Sequence, residues 1–526
     1  MKPKINLIMP RREQRRIISL RNKTVENTER EAAVCYRDGR YEEALSLYLE
    51  LMRRYPRREG YVISCANCFD IIGRRDKAVE LYKQALQINK KSLPALNNLT
   101  TALYESGDLK QAEKYCRLAL RRDGENASAL VNMGNIVYRK GRYREALDLY
   151  RQAAEKQPDF YIAEINIANT LYDLKDYGPA AEQALRSLRL NPASLTAYVI
   201  LGNSYLELDR YDEALSALKK ALQLDSEDPW IYNSLSQVCQ KKSQWEDALK
   251  YGWQAVEKSS GDEAQQINFG YTLYECALEK TDSLVKKYAE NWRRRYPDNK
   301  VAAHMAAAIG NSGNITGADD DYVRNIFDVF APDFESVLTA LDYQAPAHIH
   351  EMLRRIYGEK TSRGMRILDA GCGTGFCGVF LKKYAAWRGL WGVDLSTGML
   401  SVARQKKVYD KLFREELTAF LKQWENRFDL IVSSDVLTYF GDLQNLFSGF
   451  ADSLRKGGRI LFTVSENNIS GDAYFLHPSG RFLHSEKYIA DLLRRHGLEL
   501  EKSERCKLRN EGEKEVFGFV FSALKK

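Results

Sequence analysis

Nowhere in its 526 residues does the chain hold an apolar run of about 18 residues, the stretch a helix needs to cross a bilayer. No membrane span is therefore expected. A secretory leader is not expected either: residues 1–23 are basic, but their one apolar patch, Ile5 to Met9, is too short and no small-residue cleavage site follows. That segment reads as a basic solvated tail, with contact to an anionic surface or nucleic acid as the alternative. A large excess of one charge is missing too. The 79 Lys and Arg against 71 Asp and Glu leave a net +8, too mild to point to nucleic acid. Cysteine is sparse, nine residues, scattered and odd in number, which fits reduced thiols in a cytoplasmic setting rather than a disulfide framework. Cys65 and Cys68 form a C-x-x-C, but no second pair follows, so they read as helix core rather than a zinc or redox site. No other grouping has metal-ligand spacing.

Proline is scarce as well, 12 in all, and three of these, Pro56, Pro158 and Pro192, fall at equivalent places. The reason is an internal repeat. Ala44, Ala78, Ala112, Ala146, Ala180, Ala214 and Ala248 follow one another at steps of 34 residues without an insertion. Gly39, Gly73, Gly107 and Gly141 precede that column. Tyr41, Tyr143, Tyr177 and Tyr211 form a second column, Tyr48, Tyr82 and Tyr150 a third, and Ala85, Ala119, Ala153, Ala221 and Ala255 a fourth. Each unit reads as two antiparallel helices: alanine allows close approach, tyrosine fills the space between neighbours, and glycine ends the first helix. A single pair cannot bury its apolar faces, so the units must stack. An eighth unit keeps Gly270 and Leu273 but has Asp282 in the alanine column. Tyr296-Pro297 and the alanine-rich stretch Val301 to Ile309 read as a terminal cap.

This period and these columns resemble the tetratricopeptide repeat over about residues 26–260. The resemblance implies an all-α solenoid over residues 24–310 whose groove binds a protein or peptide partner. Asparagines recur in the first helices, Asn67, Asn135, Asn169 and Asn203 in one column and Asn98, Asn132 and Asn166 in another. Asparagine is a poor residue for a helix interior. Either these amides hold an extended peptide in the groove, or they bridge neighbouring repeats.

At Gly310 the helical period fails. Residues 311–321, rich in Gly, Asn and Asp, read as a linker. Residues 322–360, with Phe327, Phe330 and Phe334 at helical spacing, read as amphipathic helices that lid the following domain. From residue 361 to 526 strands alternate with helices: Met365 to Asp369, Phe376 to Tyr384, Gly389 to Asp394, Thr397 to Tyr409, Phe428 to Asp435, and a strand opened by a turn at Lys456-Gly457-Gly458. Leu498 to Arg509 and Glu515 to Ala523 close the domain as a hairpin. A mostly parallel sheet covered on both faces is expected.

The chemistry is expected at the glycine-rich turn. Asp369 ends the first strand, and Ala370-Gly371-Cys372-Gly373-Thr374-Gly375 follows, a sequence that lets the backbone turn sharply and approach a ligand closely at the carboxyl ends of the strands. Asp394 ends the next strand and can take both ribose hydroxyls of an adenosine. Asp369 suits an amino-acid ammonium or its bound water. Together these resemble the class I S-adenosylmethionine-dependent methyltransferases over about residues 360–524, and the whole layout resembles a bacterial group of predicted methyltransferases with tetratricopeptide repeats. The resemblance implies a Rossmann-like, seven-stranded sheet with a terminal antiparallel hairpin. It implies S-adenosyl-L-methionine as cofactor, held by Asp369, Ala370, Gly371, Cys372, Gly373, Gly375, Asp394, Leu395, Glu416, Leu417 and Ser434, with Glu416-Leu417 at the third-strand position, against the adenine. Asp435 to Tyr439 then stand where methyl group and acceptor meet. Asp435 either orients the acceptor or takes its proton, or else caps the following turn. The rival is a nicotinamide or flavin dehydrogenase, because Gly373 to Gly378 also fits G-x-G-x-x-G.

Five of the six histidines lie in or just before this domain: His348, His350, His477, His484 and His496. His348 and His350 fall near the lid. His484 follows the Pro478-Ser-Gly480 loop and is the candidate general base, because its ordinary pKa is near neutrality. Methyl transfer from a sulfonium is an in-line displacement that alignment and desolvation can accelerate, so a strong catalytic constellation is not required. The expected function is methyl transfer to an acceptor the sequence does not specify. The alternative is an interaction scaffold whose cofactor-binding domain does little chemistry.

Overall fold

The computed structural model describes residues 25–279, 282–310, 315–359, 364–511 and 514–526; the basic tail lies outside them. Contacts divide the chain into two units, 1–226 and 227–526.

The first unit is a run of helix pairs, from 25–37 and Tyr41–Arg54 to Leu195–Glu207 and Tyr211–Leu224. The alanine column is fully buried at Ala44, Ala78, Ala112, Ala146, Ala180 and Ala214. The tyrosines beside it pack ring against ring, Tyr138 on Tyr143 at 5.1 Å and Tyr172 on Tyr177 at 5.3 Å. The turn column is left-handed in each repeat. Gly39, Gly73, Gly107 and Gly141 hold φ between 75° and 84°, and Lys175 and Asp209 take φ 64° and 58°. Asn67 and Asn135 bridge repeats. Asn67 Oδ1 accepts from Tyr82 at 2.7 Å and from Asn98 of the next repeat at 2.8 Å. Two repeats later, Asn135 accepts from Tyr150 at 2.7 Å and Asn166 at 3.1 Å. Satisfied in this way, a mid-helix amide costs little and fixes the register between neighbours. Cys65 and Cys68 lie buried in the helix Glu59–Ile71, where burial pushes their thiols up to about 12 and about 11.

In the second unit the seventh helix pair, Pro229–Lys241 and Trp245–Lys258, is followed by Glu263–Leu278, Asp282–Arg295 and Lys300–Gly310. The eighth pair folds as a repeat despite its weak sequence, because Phe269 and the fully buried Trp292 fill its centre, with ring centroids 5.2 Å apart. The cap does not end the body. His304 stacks on Tyr322 at 4.0 Å and its Nε2 lies 2.8 Å from the Gly480 carbonyl oxygen. The stretch 315–318 is docked as well: Ala318 N donates to Tyr439 O at 2.9 Å, and Thr316 O accepts from Gly441 N and Asp442 N. A linker was expected at 311–321, yet residues 315–318 are packed against residues 439–442, inside the unit 227–526. Glycine and asparagine mark a change of backbone direction; they do not tell whether the loop is free or packed.

Among the described residues nine strands follow: β1 (Met365–Ala370), β2 (Ala385–Asp394), β3 (Lys411–Arg414), β4 (Phe428–Ser433), β5 (Leu454–Ser465), β6 (Tyr474–Leu476), β7 (Phe482–His484), β8 (Leu498–Glu511) and β9 (Lys514–Lys525). Seven form one sheet in the order β3-β2-β1-β4-β5-β9-β8, parallel from β3 to β5, with β9 antiparallel to β5 and to β8. β6 and β7 make a separate hairpin. Several expected bounds move. The helix after β2 is Thr397–Gln405, which leaves Tyr409 in the loop before β3. The expected Lys456 turn is a bulge inside β5, with Gly457 at φ 77° and a register shift against β4. The lid region is three helices, Asp320–Phe330, Phe334–Ala340 and Ala345–Tyr357, the first two parted at Pro332, where proline cannot continue a helix.

Candidate active site

One cavity opens at the carboxyl ends of β2, β1 and β4, under the lid helices. Its floor is the turn after β1. Gly371, Gly373 and Gly375 have φ of 73°, 53° and 89°, values that disfavour side chains. Gly371 N and Cys372 N donate to Val393 O at 2.9 and 3.0 Å, which fastens the turn to β2. A Cβ on Gly371 would come within 2.3 Å of Val436 Cγ2, and one on Gly378 within 2.4 Å of Tyr409. The spaced glycines therefore serve close packing of backbone against two neighbouring loops.

Two carboxylates face this turn, and no basic side chain pairs with either among the described residues. Asp369 accepts from Tyr409 at 2.6 Å; burial, opposed by that bond and reinforced by Asp394, pushes its carboxyl up to about 7. Asp394 accepts from Gly373 N at 2.8 Å and Ser396 N at 2.9 Å, and burial raises it despite these bonds. Leu395, Leu417, Ser434, Asp435 and Tyr439 also line the cavity, whereas Ala370 and Gly375 do not; these two act through the backbone path. Glu416 lines it while its two carboxylate oxygens cap the helix Leu417–Leu421, accepting from Thr418 N and Ala419 N.

The lid is held over this end. Asp328 Oδ1 accepts from Gly398 N at 2.9 Å and from Ser396 Oγ, so a lid carboxylate shares the capping of the helix after β2. Glu335 pairs with Lys406 at 2.5 Å. Phe327 and Phe334 line the cavity, but Phe330 turns away onto Tyr271, 5.8 Å between centroids.

On the β4 side the charges are paired. Asp435, at φ 58°, has both oxygens 3.2 Å from Arg509 Nη1. Arg509 Nη2 lies 2.8 Å from Glu511 Oε1, which also takes Arg481 Nη1 at 3.0 Å, and Tyr274 Oη donates to Glu511 Oε2 at 2.7 Å. Arg509 is 2% exposed and sealed in; Arg481 lines the cavity.

His484 does not reach the cavity. It is fully buried, with Nε2 3.2 Å from the Gly441 carbonyl oxygen, and burial drives its imidazole down to about 4. This corrects its assignment as a base facing an acceptor: residue type suggested titration, but the side chain folds inward behind β7 onto Tyr488. His348 and His350 likewise pack elsewhere, on Lys507 O at 2.9 Å and on the Phe380 ring at 4.5 Å. Tyr409, Asp328 and Arg481 are the site residues that sequence patterning did not single out.

Against known families, residues 340–503 match the methyltransferase domain. Residues 73–133 and 127–160 match the tetratricopeptide repeat, and 202–243 match a further TPR repeat family. The chain joins tetratricopeptide repeats to a methyltransferase domain.

The methyltransferase domain is 28% identical over 134 residues to a Coxiella burnetii ubiquinone biosynthesis O-methyltransferase, a match covering 24% of this chain and 56% of that enzyme. It is 28% identical over 123 residues to a Priestia megaterium malonyl-[acyl-carrier protein] O-methyltransferase, covering 22% and 43%. The chain thus spans about half the length of the curated relatives it matches. Among solved structures, the repeats align with Pseudomonas aeruginosa pilF at 21% identity and TM-score 0.37, over 40% of this chain and 94% of that one. The donor set of the methyltransferase domain suits a cationic ligand. Asp369, buried beside the turn after β1 without a basic partner among the described residues, would repel a pyrophosphate there and attract an ammonium, whereas Asp394 suits the ribose of either ligand.

Proposed function

We propose that the methyltransferase domain binds S-adenosyl-L-methionine and transfers its methyl group to a small acceptor, while the repeats engage a protein or peptide partner in the cytoplasm. The observation that carries this reading is the pair Asp369, buried, and Asp394, half-buried, both without a basic partner among the described residues and flanking a left-handed glycine turn. In this reading Asp394 takes the ribose hydroxyls and Glu416 and Leu417 flank the adenine. Asp369 receives the ammonium, directly or through water, beside the backbone of Gly371, Cys372 and Gly373. Bound S-adenosyl-L-methionine supplies a methyl group on a sulfonium. The lid residues Phe327 and Phe334 keep water out, and Ser434, Asp435 and Tyr439 shape the place where the acceptor lies. Because Asp435 is held by Arg509, its part is orientation of its surroundings.

The test is transfer of label. Full-length protein is incubated with labelled methyl donor and cell lysate fractionated into protein, lipid and small molecules. The expected result is label in the small-molecule fraction that disappears with Asp394→Ala. Tight cofactor binding without labelled product in any fraction would leave only the interaction scaffold.

A further inference from the structure

The cavity is electrically lopsided. Its β2 and β1 side carries Asp394, Asp369 and Glu416, and the lid adds Asp320. Among the described lining residues, one is cationic, Arg481. Asp394 ends β2 and Glu416 follows β3, whereas Arg481 stands beside Tyr439 and Asp435 in the loop after β4; two strand intervals, roughly 10 Å, separate β2 from β4.

Arg481 is built in. It follows Gly480, which closes a turn with φ 76° and donates its N–H to His477 O at 2.9 Å. The carbonyl of Gly480 lies 2.8 Å from His304 Nε2, and a Cβ there would strike Tyr322 Oη at 2.5 Å. The cap of the repeats and the first lid helix therefore fix the turn, and Glu511 fixes the guanidinium through Nη1. Nη1 carries the hydrogen bond to Glu511, the Tyr439 hydroxyl is a further partner, and Arg481 lines the cavity with 26% of its side chain exposed. Arg509, by contrast, spends its donors on Asp435 and Glu511. The four charges Asp435, Glu511, Arg509 and Arg481 balance, so an anion arriving at Arg481 meets a neutral cluster with an open, preorientated cation. Tyr439 beside it, with Phe327 edge-on to Tyr439 at 5.4 Å, suits an apolar body.

We propose that Arg481 is the acceptor-recognition residue, and that the acceptor is a small molecule with an apolar body and an anionic group, a carboxylate or a phosphate, that pairs with it. The inference rests on the cofactor reading above, because the acidic end must be taken by the methyl donor for the acceptor to be left the Arg481 end.

The test uses full-length protein and calorimetry in two stages. S-adenosylhomocysteine is titrated first, which tests the cofactor reading by itself. The loaded protein is then titrated with benzoate, phenyl phosphate and the neutral benzamide. At least one anion is expected to bind at least about tenfold more tightly than benzamide, and which one separates carboxylate from phosphate. In Arg481→Gln that preference is expected to vanish, with S-adenosylhomocysteine affinity within about twofold of the unaltered protein. Glu511 keeps Arg509 and Tyr274 in this variant, so no buried carboxylate is stranded. Arg481→Lys is expected to restore part of the preference and serves if the glutamine variant does not fold. Equal binding of anion and benzamide, no binding of either anion, or a preference that survives in Arg481→Gln overturns the proposal. Absence of S-adenosylhomocysteine binding overturns the cofactor reading and this inference with it.

Discussion

Burial without a basic partner leaves the Asp369 carboxyl half-protonated near neutrality, at about 7 against an ordinary value near 4. A raised acid makes its stability contribution at low pH and loses it as pH rises toward 7, because the folded chain holds a proton the unfolded chain has released. A cationic ligand reverses the preference by favouring the ionised form. Binding of S-adenosyl-L-methionine should therefore release a proton below pH 7, and its affinity should climb from pH 5.5 to 7 and then level off. Calorimetry in buffers of different ionisation enthalpy measures this, and Asp369→Asn should flatten the profile. Gly371→Ala should destabilise the domain by about 2 kcal/mol, because it adds a side chain at φ 73° and a clash with Val436; chemical denaturation checks it. Asp369 and Asp394 could be found in the sequence because each ends an apolar strand beside glycines. Tyr409, Asp328 and Arg481 could not, since each reaches the site from a loop or helix whose docking no local pattern encodes. His484 misled for the converse reason: a histidine's chemistry is visible in a sequence, its burial is not.

At the scale of elements, the 34-residue period was legible because one backbone event recurs in every repeat, a left-handed residue after the first helix. The conformation persists even where glycine is replaced. Lys175 holds φ 64°, which an L side chain tolerates at a cost, so Lys175→Gly should stabilise the array by roughly 0.5–1 kcal/mol, read as a higher denaturation midpoint. The recurring asparagines had two readings, and only contacts between repeats could choose between them. Short elements were hard to place: β6 and β7, three residues each, are too few to display alternation, and the third strand, expected at Glu416-Leu417, is Lys411–Arg414, with Glu416 capping the helix after it. The lid was visible as an amphipathic stretch, but not its clasp. Asp328→Ala should remove about 1 kcal/mol of helix capping and speed cofactor release without altering acceptor preference, which stopped-flow displacement of S-adenosylhomocysteine would follow.

For the whole molecule, composition suggested a break at 311–321, whereas the contacts carry the last repeats and the methyltransferase domain in one unit, 227–526. His304 against Gly480, and Tyr322 among Met305 and Ile309, are the packing that joins them. A fragment of residues 227–526 should unfold in one cooperative transition, while one of residues 311–526 should melt more than about 5 °C lower, as scanning calorimetry would show. The chemistry of the domain turns on what the acid-lined end of the cavity holds. Titration of the full-length chain with S-adenosylhomocysteine and, separately, with a nicotinamide dinucleotide decides it. Saturable one-to-one heat with the first, lost in Asp394→Ala, and none with the second is the predicted result; uptake of the dinucleotide with no response to S-adenosylhomocysteine or S-adenosyl-L-methionine would contradict it.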